Sequence, residues 1–320
     1  MASYKPSCSL AALNARAALY QKIRQFFAKR HVLEVETPIL SYAGTTDVQL
    51  ASVSVQRHVY GQLQTHYLQT SPEFAMKRLL ASGSGAIYQL CKVFRDDEHG
   101  RKHNSEFTML EWYRPNFTLD ELKAEVVELL HACVNPQLKV TTLSYKHAFW
   151  QQLSINPLTA STQELREIAR QHGLMLDLGD ERLAYMDLLF SHCVELTLGQ
   201  EGVVFLTDFP KELASLAKTH LDEDKEEVAS RFEVYINGLE LANAYDELGD
   251  ADILRQRFLQ DNAERQRLGL APMPIDERLL SALPDMPDCT GIALGIDRLL
   301  MVILGADKVG DVMSFTAEMA

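Results

Sequence analysis

The 320-residue chain is 47% hydrophobic, which is enough for a large core in one big domain or two small ones. Its formal net charge of −13 argues against broad nucleic-acid binding, because phosphate contacts need clustered lysine and arginine. No apolar run approaches the roughly 18 residues that suggest a membrane-spanning helix, so no transmembrane segment is expected.

The cysteines and the first residues bear on the cellular setting. The five cysteines are odd in number, widely scattered and without a CxxC pair, so neither a disulfide frame nor a zinc knuckle is predicted. The opening residues, MASYKPSCSL, lack the basic and then apolar layout of a secretory signal. A reduced, cytoplasmic protein is therefore expected.

The first part of the chain predicts two helices separated by short strands. Residues 32–40 read as a short strand that meets Pro38, and residues 51–60 alternate like a second strand. The sequence Ser71-Pro72-Glu73 is typical of a helix start, and Gly83 of a helix stop. Residues 9–30 predict a long amphipathic helix, since apolar residues recur at helical spacing at Leu10, Leu13, Ala17, Tyr20, Ile23 and Phe27.

Later segments predict more helices, a hairpin and a final strand. Capping-box patterns begin helices at Thr118 and Ser161, and further helices are expected at residues 181–198, 250–268 and 275–283. Residues 231–248 predict a hairpin around Asn237-Gly238, and residues 291–305 a glycine-punctuated strand that runs into a helix. No long linker separates two halves. The predicted fold is a single α+β domain over residues 1–320, an antiparallel sheet flanked by helices.

Residues 93–113, VFRDDEHGRKHNSEFTMLEWY, are the most informative stretch. Two apolar strands flank a loop dense in charge, with Arg95 closing the first strand. Strand parity puts Phe107, Glu111 and Tyr113 on one face. Cations, an aromatic ring and a carboxylate on one hairpin suit a nucleotide bound beside a small cationic substrate. A surface hairpin with a solvated turn is the alternative that this segment alone leaves open.

The Asn237-Gly238 turn gives a geometric prediction. A two-residue turn pairs Tyr235 with Glu240, so Glu233 lies diagonally from Glu240 on the same face, within reach of one cation. Two carboxylates together with nucleotide phosphates commonly hold Mg²⁺. The alternative is two ordinary exposed acids. Asn243, Tyr245 and Glu247 have the opposite parity and join that face only if the strand bulges after Glu240.

The last glycine-rich strand is a second candidate for ligand contact. Gly291 and Gly295 flank Ala293, and small residues at alternate positions let a ligand lie against the backbone. Arg298, at the start of the next helix, could stack on a base or clamp a phosphate. A tightly packed core strand with an exposed arginine is the alternative. Motifs of P-loop, Rossmann, zinc-protease and serine-hydrolase sites do not occur in the sequence.

Three segments together resemble the class II aminoacyl-tRNA synthetases. TPIL with Pro38 is similar to their first motif, FRDDE with EFTMLE to the second, and GIALGIDR to the third, in the right order. Within that class, SPEFAMKRL, RKHNSEFTMLEWY and ELANAYDEL resemble the lysyl type. The resemblance runs from about residue 9 to the end. It implies the class II catalytic domain without the N-terminal anticodon-binding β-barrel, as in the stand-alone lysyl-type paralogs that modify translation elongation factor P.

The resemblance also implies site residues. It implies that ATP is bound by Arg95, Asp97, His103, Asn104, Phe107, Glu240 and Arg298. Of these, Arg95 and Arg298 would be catalytic. Mg²⁺ would be held by Glu233 and Glu240. The amino-acid pocket comprises Gly44, Ser71, Glu73, Glu111, Tyr113, Asn243, Tyr245, Glu247, Ala293 and Gly295, with Glu247 pairing with the substrate ε-ammonium. This sequence departs from the lysyl pattern at four positions. It has Asp97 where the family has Glu, Ser105 where it has Pro, Ala244 where it has Gly and Tyr245 where Phe is common. No charged catalytic group is lost.

The implied reaction is ATP-dependent activation of (R)-β-lysine or lysine as an adenylate, and transfer to a lysine side chain of elongation factor P. Ala293 stands where lysyl-tRNA synthetases have glycine, and its methyl would disfavour an α-amino group by only about 1–3 kcal/mol. A truncated lysyl-tRNA synthetase and a non-catalytic binding paralog remain alternatives. A homodimer is expected through the first helix and the Pro38 strand.

Overall fold

The computed structural model describes residues 4–320 and divides them into two compact units. One unit comprises the described residues up to Pro136 together with Glu247–Ala320, and the other comprises Gln137–Asp246. The single-domain arrangement over residues 1–320 stays a prediction.

The first unit contains two sheets and six helices within the described residues. Its helices are α1 (Leu10–Ala28), α2 (Glu73–Ala81), α3 (Leu119–Cys133), α7 (Ala251–Arg267), α8 (Glu277–Ala282) and α9 (Ile296–Leu304). Its strands are β1 (Leu33–Glu34), β2 (Leu40–Ser41), β3 (Ser54–Val59), β4 (Gln62–Leu68), β5 (Ile87–Phe94), β6 (Glu106–Pro115) and β12 (Cys289–Gly295).

The larger arrangement of strands in this unit carries the charged hairpin. Its order is β1-β5-β6-β12, in which β1 runs parallel to β5 and the other pairs are antiparallel. In the β5–β6 ladder, Gln89 pairs with Glu111 and Val93 with Phe107. The small second sheet has the order β2-β4-β3. The two strands predicted at residues 93–113 therefore form as a hairpin around the charged loop.

Local sequence signals account for the helix starts. Thr118 and Glu121 form the predicted capping box of α3, and Ser9 caps α1 by accepting a hydrogen bond from the amide of Ala12. The apolar face of α1 differs from the predicted one in its first half. Leu10 is 75% exposed, whereas Leu19, Ile23, Phe26 and Phe27 are buried.

The second unit contains its own strands and helices. Its helices are α4 (Tyr145–Leu153), α5 (Thr162–Gln171) and α6 (Arg182–Leu189), and its strands are β7 (Val140–Ser144), β8 (Val203–Pro210), β9 (Thr219–Leu221), β10 (Glu227–Ile236) and β11 (Leu239–Asp246). The strand order is β11-β10-β8-β7, with β9 also pairing with β10. The β7–β8 pair is parallel and the others are antiparallel.

Helix predictions in this unit are confirmed with one departure. The Ser161–Glu164 capping box begins α5 as predicted. The helix predicted over 181–198 is α-helical only to Leu189, then continues as a π-turn over Phe190–Val194 and a 3₁₀ turn over Glu195–Thr197. The widened turn places Phe190 against Tyr145, with ring centroids 5.2 Å apart.

The α+β prediction is confirmed, and the antiparallel pairing holds except for the β1–β5 and β7–β8 pairs, which are parallel. Within residues 4–320 no helix is both long and apolar enough to cross a bilayer. The five cysteines all lie in the described part of the chain and form no disulfide there.

Candidate active site

Helix α2 carries a buried ion-pair cluster. The Ser71 hydroxyl accepts from the amide of Glu73 at 3.1 Å and so helps to fix the first turn. One turn later, the Nζ of Lys77 lies 2.6 Å from Glu73 Oε1 and 2.6 Å from Glu247 Oε2. Burial acts to lower the pKa of Lys77, but the charges of Glu247 and Glu73 outweigh it and the pKa is raised. The lysine is therefore a buried ammonium held by two carboxylates.

Glu111 contributes a third acid to this cluster, and its environment keeps it protonated near neutral pH. Burial, with the negative charges of Glu73 and Glu247, raises the pKa of Glu111 to about 8, although Lys77 and Tyr113 lower it. The Tyr113 hydroxyl donates to Glu111 Oε1 at 2.7 Å. The other carboxyl oxygen of Glu111, Oε2, is buried and has no hydrogen-bond partner within residues 4–320. The role of Glu111 in the amino-acid pocket stays a prediction.

Small residues on β12 lie beside these acids. The register pairs Gly291 with Tyr113, Ala293 with Glu111 and Gly295 with Met109, so one row of small residues lies alongside the functional face of β6. A Cβ built on Gly291 would lie 2.3 Å from Glu247 Oε1 and 2.4 Å from the Tyr113 ring. Glycine at position 291 is therefore what lets Glu247 approach the strand.

Arg95 lies where β5 ends, at the mouth of the charged loop. Its amide donates to the carbonyl of Ser105 at 2.9 Å, which closes the hairpin. Its guanidinium carbon is 5.1 Å from the Phe107 ring centroid, and NH1 is 3.4 Å from Glu98 Oε1. The Nε of Arg95 is buried and has no partner in the described chain. A cation and an aromatic face thus share one location, which suits phosphate and base recognition.

Arg298 meets the same loop from α9. Its NH2 lies 2.8 Å from His103 Nε2. A guanidinium can only donate, so Nε2 accepts and His103 is neutral in this arrangement. Arg298 and the charged loop therefore lie together, and their roles toward ATP stay predictions.

Asp297, the residue before Arg298, was not singled out from the sequence. It is buried, forms an ion pair with Arg16 of α1 at 2.5 Å, and accepts from the amide of Thr108 at 2.7 Å. Because Thr108 follows Phe107, Asp297 holds β6 and the start of α9 in a fixed relation. The sequence offered no local signal for this pair, because Arg16 and Asp297 are far apart along the chain.

The remaining predicted loop residues have different settings. Asn104 is buried, donates to the carbonyl of Glu106 at 2.6 Å and accepts from the amide of Ala317 at 3.0 Å. Asp97 is exposed and has a positive φ of 59°. A carboxyl-terminal residue thus holds the loop through the Asn104 side chain, while the roles of Asn104 and Asp97 toward ATP stay predictions.

In the second unit, the β10–β11 hairpin has the predicted turn and a bulge. Tyr235 pairs with Glu240 as expected, but Val234 pairs with Ala242, so Leu241 is an extra residue on β11. Beyond the bulge, the ladder pairs Glu233 with Asn243 and Arg231 with Tyr245.

The bulge resolves the parity conflict in the sequence. It places four predicted site residues on one face of the hairpin, namely Glu233, Glu240, Asn243 and Tyr245. Without the extra residue, Asn243 and Tyr245 would point to the face opposite Glu233.

Glu233 is the most constrained acid on this face. It is buried, forms an ion pair with Arg231, and accepts from the Tyr235 hydroxyl at 2.5 Å. Burial and the charge of Glu240 raise the pKa of Glu233 to about 7, although Arg231 lowers it. The repulsion between Glu233 and Glu240 is what a divalent cation would relieve. Arg231, which the sequence analysis did not single out, holds Glu233 in place.

Gly44 stands apart from these groups. A Cβ added to it would lie 2.7 Å from Ser52 Oγ and 3.0 Å from the Met273 side chain, so close packing requires glycine there. Its predicted place in the amino-acid pocket stays a prediction. Of the predicted residues of the first unit, the structure brings together Ser71, Glu73, Glu111, Tyr113 and Glu247 around Lys77.

Comparisons with known proteins agree with this geometry. Residues 5–319 match the family model of class II tRNA synthetases (D, K and N). Proteins named elongation factor P–(R)-β-lysine ligase are similar over the whole chain. The protein from Edwardsiella ictaluri is 47% identical, with 100% of this chain and 99% of the relative aligned. That from Salmonella dublin is 47% identical with the same coverage, and that from Pectobacterium atrosepticum is 46% identical over 99% of this chain and 98% of its own.

The family match covers nearly the whole chain, and the relatives align over almost their full length. The charged hairpin, the glycine-rich strand and Arg298 described above are consistent with this match. The chain belongs to the class II tRNA synthetases of the D, K and N family.

Proposed function

We propose that this protein activates (R)-β-lysine with ATP and transfers the acyl group to a lysine side chain of elongation factor P. The observation that carries the proposal is the buried acid cluster of Glu73, Glu111 and Glu247, which has one internal cation, Lys77. Three carboxyl groups against one ammonium leave an excess that suits the cationic end of a lysine-like substrate. Relatives 46–47% identical over the full chain carry the name of such a ligase.

The first chemical step is adenylate formation. The substrate carboxylate attacks the α-phosphorus of ATP in line, and the bond to pyrophosphate breaks. Arg95 and Arg298 are assigned to neutralise phosphate charge, so that catalysis is positioning and electrostatic stabilisation without a covalent enzyme intermediate. In the second step the acceptor ε-amine attacks the acyl carbon, AMP leaves, and the amine loses a proton.

Mg²⁺ is assigned to the acids of the second unit. Glu233 and Glu240 share one face of the hairpin, and oxygen ligands of this kind suit Mg²⁺. Each supplies carboxylate oxygen. Burial and, to a smaller extent, the charge of Glu240 raise the pKa of Glu233, so a cation that binds both acids would offset these effects. When bound, Mg²⁺ would supply charge neutralisation for the nucleotide phosphates.

Ala293 is assigned to the choice between the two lysine isomers. It pairs with Glu111 in the ladder, so its methyl group lies on the pocket side of β12. A β-amino acid has no amino group at the α-carbon and is the substrate that this methyl would disturb less. The expected bias is about 1–3 kcal/mol, which favours one isomer without excluding the other.

The decisive test is the intact mass of elongation factor P after incubation with the protein, Mg-ATP and (R)-β-lysine. A shift by one lysyl unit is expected, and α-lysine should give the same shift more slowly. No shift, with lysine tRNA charged in a parallel reaction, would favour a tRNA synthetase. Failure of calorimetry to detect Mg-ATP binding would favour a non-catalytic paralog.

Substrate affinity is expected to rise with pH through the pKa of Glu111. That group is protonated below about 8 and ionised above it, and its ionised form adds to the attraction that Glu73 and Glu247 exert on the substrate ammonium. The dissociation constant of (R)-β-lysine should fall up to about tenfold per pH unit between about pH 6.5 and 8, then level off. Calorimetry in buffers of different ionisation enthalpy should show proton release on binding.

Glu111→Gln is the control for this pH dependence. Glutamine is similar in shape but cannot ionise, so the dependence should flatten in this variant. A wild-type affinity that is constant across the range, or that falls with pH, would contradict the assignment.

A homodimer formed through α1 and the Pro38 segment is part of the proposal. Leu10, Leu33 and Ile39 in this part of the chain are 75%, 56% and 42% exposed, respectively. These exposed apolar side chains lie in the segments through which the resemblance predicts a dimer contact. We expect a dimer by light scattering at micromolar concentration. The cytoplasm remains the expected location.

Leu33→Glu is expected to shift the protein to monomer, because a charge would be buried without a partner at the contact. Leu221→Glu, at a residue that is 64% exposed on β9, is the matched control and should leave the mass unchanged. A wild-type monomer, or a Leu33→Glu dimer, would count against this interface.

A further inference from the structure

We propose that Lys77 is a positioning residue that determines specificity: its buried ammonium holds Glu73 and Glu247 together and so presents Glu247 to the terminal ammonium of the substrate. The inference rests on the proposed function and deepens it. Lys77 touches no reacting atom in this account. Its effect is transmitted through the two carboxylates that it binds.

The geometry of the cluster requires a cation at this place. Glu73 and Lys77 are one turn apart on α2, and Glu247 reaches the same Nζ from a different part of the chain. The Lys77 side chain is 0% exposed and that of Glu247 is 1% exposed, so water cannot replace the contact. Without Lys77, two carboxylates would share one buried site and one of them would take up a proton.

The titratable groups around the Lys77 cluster determine the net charge that a ligand would meet. Glu111 and Tyr113 on β6 are titratable groups that interact with this cluster, and Cys91 on β5 interacts with Glu111. Burial raises the pKa of Cys91 to about 12, and that of Tyr113 also lies above its usual range. Both are therefore neutral at working pH. The acids and Lys77 therefore supply charge to the pocket, whereas Cys91 and Tyr113 do not.

A pocket organised in this way selects an ammonium over an uncharged chain end. Glu73, Glu247 and Lys77 together carry one negative charge when Glu111 is protonated. A neutral substrate end would leave that charge unpaired in a buried place, which disfavours binding. Loss of Lys77 lets one of the two carboxylates take up a proton, so the pocket keeps one negative charge but no longer fixes it on Glu247, and discrimination against a neutral analogue should fall.

The test compares Lys77→Met with the wild-type protein in ATP–pyrophosphate exchange. The KM for (R)-β-lysine should rise by about tenfold or more, as expected for losing a charge-assisted contact, while the KM for ATP stays the same. The preference over the analogue whose terminal ammonium is replaced by methyl should fall. The pH dependence of kcat/KM should move to higher pH, which a purely structural role would not produce.

Controls make the outcome unambiguous. Lys92→Met is the matched substitution, at a lysine on β5 whose side chain is 44% exposed, and should change none of these quantities. The double variant Lys77→Met/Glu73→Gln removes one carboxylate together with the buried ammonium. It therefore leaves no repulsion between Glu73 and Glu247 and favours folding. Its pH profile should return toward wild type while the KM stays raised. Folded variants with wild-type KM, preference and pH profile would overturn the inference.

A measurement on the unaltered protein covers the case in which neither variant folds. A buried ammonium exchanges slowly with solvent, so Lys77 should give a protected ¹H–¹⁵N signal that shifts when (R)-β-lysine binds. If the protein activates (R)-β-lysine but the Lys77 signal does not shift, the role of Lys77 is overturned and the proposed function stands. A wild-type protein that does not activate (R)-β-lysine would instead overturn the proposed function.

Discussion

Arg298→Ala should lower kcat for adenylate formation by about 10²–10³-fold, the loss typical of removing one group that stabilises transition-state charge. Arg298 lies in the first turn of α9, and its NH2 lies 2.8 Å from Nε2 of His103 in the charged loop to which nucleotide binding is assigned. Exchange of labelled pyrophosphate into ATP, dependent on (R)-β-lysine, measures the effect. The melting temperature should change little, because Arg298 is not fully buried.

The matched control is Arg267→Ala. Arg267 is an arginine of α7 with a side chain that is 51% exposed and paired with Glu264, so its loss should leave exchange and stability unchanged. Equal losses in the two variants would show that the assay reports general damage. Wild-type exchange in Arg298→Ala would contradict the assignment of Arg298 to the nucleotide.

Glu247→Ala should destabilise the protein by about 3–5 kcal/mol, because it breaks a buried ion pair by removing one partner and leaves the other charge buried with fewer contacts. Here the charge left behind is the ammonium of Lys77, whose other carboxylate is Glu73. Binding should suffer as well, since Glu247 is assigned to the substrate ammonium. Urea unfolding and calorimetric titration with (R)-β-lysine measure the two effects separately.

Two further variants separate stability from recognition. Glu247→Gln keeps the shape and one hydrogen bond to Lys77, so it should lose less stability than Glu247→Ala while still losing affinity. Glu277→Ala, at a side chain that is 62% exposed beside Arg255, should be close to neutral in both assays. Unchanged substrate affinity in a folded Glu247 variant would argue against its assigned role.

The hairpin shows how far local sequence rules reach. Asn237-Gly238 determined the first two pairs correctly, because a two-residue turn leaves no freedom in register. The bulge at Leu241 has no comparable signal. The sequence indicated a bulge only conditionally: Asn243 could share a face with Glu233 only if the strand bulged after Glu240. Local chemistry sets a turn, whereas a bulge depends on packing by the rest of the unit.

Lys77 illustrates a different gap. On α2 it reads as a solvated lysine one turn from Glu73, a common surface pair. Its burial depends on β6 and on Glu247, which is far away in sequence. The acids were predictable by resemblance, but the cation that organises them emerges only from tertiary contacts. Arg231 beside Glu233 and Arg16 beside Asp297 were missed for the same reason.

Helix 181–198 was predicted correctly in position but not in type. Apolar spacing identifies a buried helix, yet the π-turn at Phe190–Val194 depends on the aromatic cluster it joins. Single insertions of this kind change hydrogen bonding without changing the hydrophobic pattern.

The contact between Asn104 and Ala317 has a consequence during synthesis on the ribosome. The two residues are separated by 213 positions, so the hydrogen bond that fixes the loop around Asn104 can form only after Ala317 has been synthesised. At about 5–20 residues per second, that interval is roughly 10–40 seconds. A nascent chain is therefore expected to complete its charged loop last, and premature termination before Ala317 should yield a protein in which the rest of the first unit is ordered before this loop.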